Sequence, residues 1–532
     1  MLDILIKNAQ IIDGSGKHAF QADVGIKEKR IVEIAKNIEQ EAEQSIQADN
    51  LCLSPGLIDP HMHSDLTLFE NSKAESSIRQ GVTTEVIGNC GISAAPLSPK
   101  TSNEVKFLAG GFDIATNWGS MGEYIERLEK SEIALNVVPM VGHNTIRSMV
   151  LGFDDVQPTP EQQLEMEQQI EIAMEQGARG FSAGLFYPPG CYANTDEVID
   201  LARIAGKHGG IFACHVRSES DKVLAAVKEI IEIGKQAEIQ VQLSHVKICG
   251  YRNWEMIDEL IAVLESDKAR EINLGCDQYP YTASSTTLFS ILPYWAQMGG
   301  GEKIADRIKD SATRERLRKD WRENQIDWDQ RSGVRDWSGI LITDCPSRPE
   351  INGITVEEIA AQSGNDPFKT ALDLISLDNA QTVAVFHDQQ EEILKKLMQL
   401  PYVVIGSDSL GSAPYGRLDQ GSSHPRTYGT FPRVLGRYVR EEKVLSLETA
   451  IKKMTSVTAK RYNLKDRGVI RIGAWADLMI INPEIISDKA TFADPHQFPI
   501  GIPYVIVNGE IVIKEGNHTG KLPGRILKNE PK

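Results

Sequence analysis

The sequence predicts an α/β protein: a (β/α)8 TIM-like barrel, a small β-sandwich domain formed from both termini, and a charged helical insertion. Three observations predict it. Between 56 and 408, eight short apolar runs alternate with amphipathic helical stretches, and such alternation places the strands in a parallel sheet. The two ends of the chain carry strand-like runs without helices. Side chains able to hold a metal recur at the last residues of the apolar runs, the position that converges on one face of a barrel. A doubly wound open sheet is the architectural alternative.

Residues 1–55 contain LDILIKNAQIID, ADVGIKEKRIVEIA and SIQADNLCLSPG, separated by the turn signals DGSG and KEKR. Residues 466–518 repeat that texture in RGVIRIGAWADLMIINP (467–483) and PYVIVNGEIVIKEG (503–516), where Asn508-Gly509 is a strong hairpin signal. The two ends are expected to pair as one discontinuous domain, followed by a tail over 519–532. The barrel is expected over 56–465. Its strands are GLIDPHMH (56–63), TTEVIG (83–88), LNVVPMVG (135–142) and GFSAG (180–184), then GIFACH (210–215), IQVQLSH (239–245), EINLGCDQYPY (271–281) and YVVIGSD (402–408). Helical runs such as TPEQQLEMEQQIEIAMEQGA, TDEVIDLARIAGKHG and SDKVLAAVKEIIEIGKQA each open with a Thr or Ser cap and a nearby acid. The interval from about 290 to 340, with EKIADRIKDSATRERLRKDWRENQ, breaks the rhythm. It reads as a solvated helical insertion or, more sharply, as a lid beside the site.

At 532 residues, 41% hydrophobic and 25% charged, the chain is ordinary globular material. A net charge of −17 argues against nucleic acid as a partner. The opening MLDILIKNAQIIDGSG has no apolar signal core, and no run reaches the length of a membrane span. The seven cysteines are scattered without a C-x-x-C pair, which fits a reducing, cytoplasmic setting.

The metal-competent residues fall into place on this map. His61 and His63 end the first strand, and alternate strand residues share a face. Such a pair is weak evidence alone, since it could be an accident near a turn. Cys90 follows the second strand, His215 and His245 end the fifth and sixth, and Asp408 ends the eighth. Core histidines have no reason to choose strand ends, yet four of the chain's 11 histidines lie there. Imidazole and thiolate ligands suit zinc, which brings the pKa of a bound water toward ~7. Asp408 is then a carboxylate placed to take a proton from that water and return it to a leaving group.

These residues sit in motifs that resemble the amidohydrolase superfamily and, within it, the N-acyl-D-amino-acid deacylases (D-aminoacylases). IIDGSG (11–16) and PGLIDPHMHSD (55–65) are similar to amidohydrolases in general. QGVTTEVIGNCGIS (80–93), GFSAGLFYPPGCYANTDEV (180–198), GGIFACHVRSE (209–219), QLSHVKICG (242–250), DQYPYTASST (277–286), IGSDS (405–409) and HPRTYGTFPRVLGRYVRE (424–441) complete the resemblance, which spans essentially the whole chain. It implies that His215, His245 and the Cys90 thiolate hold one tight zinc. It also implies that His61 and His63 form a second, weaker site, with Cys90 as the bridge when both are filled. Many amidohydrolases bridge two metals with a carboxylated lysine on the fourth strand; GARGFSAGL offers none. The resemblance makes Asp408 the catalytic acid/base and Arg426 the residue that grips a substrate α-carboxylate. Tyr279 and Lys247 are implied helpers, with Ser284 or Ser285 reaching the same carboxylate. Ser409 stands where the family pattern has Gly, and the loop from Ser409 to Ser423 is longer than that pattern.

The implied reaction is zinc-dependent hydrolysis of the amide of an N-acyl-D-amino acid to a carboxylate and a free D-amino acid. Water activated on the metal attacks the carbonyl, with Asp408 as general base and then general acid. The alternatives are another amidohydrolase, such as a cyclic-amide hydrolase, dipeptidase or deaminase, and a non-catalytic scaffold of the same fold. The absent lysine and the HPR motif count against the first, and the intact ligand set against the second.

Overall fold

The computed structural model of the chain describes residues 1–98, 114–323, 336–419, 421 and 423–529; parts of the charged insertion (324–335) and of the tail (530–532) lie outside these. Its first strands are β1 (Leu2–Ile11), β2 (Phe20–Lys27), β3 (Arg30–Ala35), β4 (Ala42–Gln47) and β5 (Cys52–Pro55). Alternating apolar residues bury one set of side chains, among them Ile4, Ile6, Val24 and Ile26. The core they form also contains Leu478, Ile480 and Ile506 from the far end of the chain.

The parallel strands are β6 (Leu57–Asp59), β7 (Val82–Ile87), β8 (Asn136–Pro139), β9 (Val141–Gly142), β10 (Gly180–Gly184), β11 (Ile211–His215), β12 (Val241–Leu243) and β13 (Gly275–Gln278). Three further strands, β14 (Ser284–Thr287), β15 (Ile340–Asp344) and β16 (Val383–Phe386), interrupt them before β17 (Val403–Ile405) closes the parallel set beside β13. One parallel sheet runs β17-β13-β12-β11-β10-β9 and the other β6-β7-β8, with only Met140 between β8 and β9. Each apolar run expected in this region supplies a strand. The free edges of the two sheets meet at the site. Met62 bridges Ser409 in parallel, His63 N–H donates to the Ser409 carbonyl at 2.7 Å, and Asp408 N–H donates to the His61 carbonyl at 2.8 Å.

The helices follow their sequence signals with two corrections. Thr159 caps Pro160–Glu175, its hydroxyl and Gln162 exchanging bonds as the sequence suggests. The helix Thr195–Lys207 is capped one residue earlier, by Asn194, and Thr195 instead bonds Glu229. Val223–Gln236 begins after Lys222 with no side-chain cap, because the Ser220 hydroxyl turns to Asp221. Among the described residues no helix is long and apolar enough to cross a membrane. All seven cysteines are free and buried.

The interruption between β13 and β17 is wider than the charge pattern marks. β14, β16 and β15 form an antiparallel sheet, and helices Gly301–Lys309 and Ser311–Glu323 contribute Ile304, Ile308 and Leu317 to the apolar core that it shares. β14 reads SSTT, too short and polar to announce itself as a strand.

The last strands, β18 (Leu478–Ile481), β19 (Tyr504–Val507), β20 (Glu510–Lys514) and β21 (Asn517–His518), join β1–β5 in one sheet of nine strands. β5 is the seam, parallel to β1 and antiparallel to β18. Asn508 and Gly509 both have positive φ, 48° and 79°, as a two-residue hairpin between β19 and β20 requires. Asn508 also fastens the two ends to the parallel strands: its N–H donates to Asp477 at 2.7 Å and its side-chain amide to Asn136 of β8 at 2.8 Å. Asp477 is ion-paired with buried Arg467. Asp477→Ala leaves that guanidinium buried without a counter-charge, so a loss of about 3–5 kcal/mol of unfolding free energy is expected in a denaturant titration.

Candidate active site

The site lies where the parallel strands end. His61, just past β6, has both ring nitrogens engaged: Nδ1 is 2.9 Å from Asp277 Oδ1 and Nε2 is 3.2 Å from Cys90 Sγ. Cys90 Sγ is also 3.5 Å from His245 Nε2. Asp408 turns one oxygen inward, with Oδ1 3.4 Å from His61 Nε2 and 3.2 Å from His63 Nε2. Its other oxygen accepts from Arg426 at 2.7 Å. Donor atoms of His61, Cys90, His245 and Asp408 all lie within 4.8 Å of one another. His215 stands beside them, its ring 4.4 Å from that of His245, and neither of its buried ring nitrogens has a hydrogen-bond partner.

Local backbone geometry aims these groups. Cys90, His245 and Asp408 have φ of 52°, 35° and 53°, left-handed values that L-residues seldom adopt. Each is the point at which a chain leaving its strand turns sharply. Such conformations cost of order 1–3 kcal/mol each and persist only where the surroundings over-determine them. Asp277, at the end of β13, helps to do so: Oδ1 accepts the His245 N–H at 2.8 Å and Oδ2 accepts from Gln242 at 2.8 Å.

The acidic and basic groups of the cluster hold one another in their charged forms. Burial alone would push the Cys90 thiol up, but the neighbouring His61 and His245 outweigh it and hold the thiol well below its ordinary pKa. Burial likewise opposes ionisation of Asp408, and Arg426 and His245 overcome it, keeping the carboxyl well below the usual range. Burial lowers His215 to about 4, leaving it neutral and able to donate a lone pair. The donor types gathered here, a thiol, imidazoles and a carboxylate with a neutral His215 beside them, fit a borderline-soft divalent cation.

The substrate-side residues form an adjacent wall. Buried Tyr279 has Arg426 4.9 Å from its ring centre and Lys247 at 5.5 Å, while its hydroxyl accepts from Gln389 at 3.0 Å. Arg426 N–H donates to His424 Nδ1 at 3.0 Å, and His424 Nε2 reaches the Ala283 carbonyl at 3.0 Å. Ser284 donates to Asp388 at 3.0 Å, and Ser285 pairs with Val385 in the antiparallel sheet. Lys247 is bonded to Glu219 at 2.5 Å.

Sequence reasoning passed over two carboxylates that touch metal-competent histidines. Asp277 was detectable in part, since it lies near the C-terminal end of the seventh strand, within the run EINLGCDQYPY. Glu219 lies in a loop four residues past His215, where no periodicity marks it; its Oε1 is 2.9 Å from His245 Nδ1.

The family described as Amidohydrolase family matches residues 309–513. The chain is 33% identical over 528 residues to the D-aminoacylase of Alcaligenes xylosoxydans xylosoxydans, covering 99% of this chain and 97% of that protein. It is also 33% identical over 529 residues to the N-acyl-D-glutamate deacylase of the same organism, with the same coverage. Among solved structures, the N-acyl-D-glutamate deacylase of Bordetella bronchiseptica, complexed with zinc and a phosphonate mimic of the tetrahedral intermediate, is similar with a TM-score of 0.84. That match is 31% identical and covers 99% of both chains.

Proposed function

Because the chain belongs to the D-aminoacylase family of amidohydrolases, we propose that it is a zinc-dependent hydrolase of N-acyl-D-amino acids, releasing a carboxylate and a free D-amino acid. The observation that carries this reading is the double engagement of Asp408: one oxygen faces the histidine–cysteine cluster and the other lies on Arg426. That geometry supports an acid/base role for Asp408 between a metal position and a cation suited to an α-carboxylate.

The proposed metal ligands are Cys90, His215 and His245 for a tight zinc, with His61 and His63 for a second, weaker one. When bound, zinc supplies Lewis-acid activation of water and of the amide carbonyl. Asp408 accepts the proton that the attacking water loses and delivers it to the departing nitrogen as the C–N bond breaks. Arg426 offers a planar fork to the α-carboxylate. Tyr279 walls that position, Lys247 adds positive charge near it, and Ser284 and Ser285 lie beside Ala283, whose carbonyl anchors the His424 that precedes Arg426 by two residues. A carboxylate held at one point, a carbonyl at a second and a side chain at a third leave one hand of the substrate productive.

The architecture proposed to support this site is a (β/α)8 barrel over 56–465. Its closure is supported by the Met62–Ser409 bridge at one junction and the single-residue link between β8 and β9 at the other. The nine-stranded sheet from 1–55 and 466–518 is the proposed β-sandwich domain, with 519–532 as a tail. Seven free cysteines support a cytoplasmic location.

The test is release of free amino acid from N-acetyl-D and N-acetyl-L forms of Met, Leu, Phe, Glu and Asp, with zinc quantified in the same sample. Turnover of D forms alone, with about one zinc per chain as for a single filled tight site, is the expected result. Zinc without turnover of either hand would discard the deacylase reading and leave a metallohydrolase of cyclic amides or dipeptides.

A further inference from the structure

Around His245 the structure holds an arrangement that the proposed reaction does not use. Nε2 faces Cys90, and on the other side of the ring three polar atoms form a tight triangle. Glu219 Oε1 is 2.9 Å from His245 Nδ1 and 2.5 Å from Lys247 Nζ, and Nζ is 2.7 Å from Nδ1. All three residues are buried. Glu219 is tied down by its backbone, its carbonyl accepting the Cys249 N–H at 2.7 Å, so the loops after β11 and β12 hold the triangle together. His215, Glu219 and His245 could themselves be read as a cation site. The ammonium of Lys247 already supplies the positive charge there.

The triangle contains a conflict that only the carboxylate resolves. For Nε2 to present a lone pair to a metal, Nδ1 must carry the ring hydrogen and donate it. An ammonium at 2.7 Å is a donor as well, and two donors facing each other repel. Glu219 offers both an acceptor within reach, its Oε1 lying 2.5 Å from Nζ and 2.9 Å from Nδ1. Without it, the ammonium keeps its place at 2.7 Å with no acceptor of this pair left for a hydrogen on Nδ1, which favours the opposite arrangement, with the hydrogen on Nε2 pointing at the metal position. We propose that Glu219 is a positioning residue that holds the ring hydrogen of His245 on Nδ1 against the pull of Lys247, so that one carboxylate both secures a metal ligand and parks a lysine beside Tyr279. This rests on the zinc centre of the proposed function, and it assigns Glu219 no contact with substrate.

The test is the rate at which zinc-loaded protein loses its metal to a chelator, read together with the thiolate-to-metal absorption of cobalt-substituted protein, which reports on Cys90. Neither depends on which amide is hydrolysed, so a wrong substrate assignment leaves both interpretable. Glu219→Gln is expected to lose zinc at least ~10-fold faster, in line with the effect of removing a carboxylate partner from a ligand histidine. Lys247→Met alone should hold zinc as the parent does and raise KM. The combined Glu219→Gln, Lys247→Met protein should recover most of the retention, because the competing donor is gone; a purely structural role for Glu219 predicts no recovery. Glu219→Asp, which keeps a carboxylate, should fall between. If Glu219→Gln cannot be recovered folded, the combined variant and Glu219→Asp decide the matter alone. Parental zinc retention in Glu219→Gln, or a combined variant that loses zinc as fast as the single one, overturns the proposal.

Discussion

Asp408→Asn is expected to keep its zinc and lose about 10³-fold in kcat, within the range that a positioned acid/base contributes. The amide can still accept from Arg426 through its oxygen, so the wall of the site stays in place. It cannot accept a proton from the attacking water, nor return one to the nitrogen. The loss should fall on kcat and kcat/KM alike, because the missing interaction belongs to the transition state. Steady-state kinetics with zinc analysis of the same sample measures both parts. Turnover within about tenfold of the parent would remove Asp408 from the acid/base role. Equal loss of zinc and activity would make it primarily a metal ligand.

Arg426→Ala is the second large effect. Truncating one partner of a buried, hydrogen-bonded charge pair costs about 2–5 kcal/mol, so kcat/KM on N-acyl-D-amino acids should fall roughly 10²- to 10³-fold. The direction of the effect across substrates matters more than its size. On an N-acyl amine with no α-carboxylate, parent and variant should converge, since the guanidinium has nothing to grip. A constant ratio across both substrate types would instead mean that Arg426 acts only through Asp408, which it already contacts at 2.7 Å.

Much of this site is legible in the sequence because its chemistry obeys a positional rule. His61, Cys90, His245 and Asp408 were separable from other His, Cys and Asp residues by lying at or just past the ends of apolar runs. Asp277 lies near the end of β13 and follows the same rule, but the run EINLGCDQYPY continues to Tyr281 and leaves it in the interior of the expected strand. Glu219 and Lys247 were not legible as partners. Their meeting depends on how two loops cross in space, and loop crossings leave no period behind. The left-handed turns at Cys90, His245 and Asp408 were equally hidden, since glycine is the usual sign of such geometry and the chemistry forbids glycine there. The antiparallel sheet of β14–β16 escaped because its strands are short and the charged helices between them dominate the local composition.

The seam at β5 has a consequence for how the protein comes into being on the ribosome. Cys52–Pro55 is made early, but its antiparallel partner Leu478–Ile481 emerges only after more than four hundred further residues. Through most of synthesis β5 has an unpaired edge, and six residues beyond it stands His61, the first of the proposed metal ligands. Completion of the terminal sheet is therefore a late event, and nascent chains arrested before Leu478 should be open to a protease at the 52–63 segment. Chains released beyond β20, at Lys514, should resist it, which a set of stalled translation products would resolve.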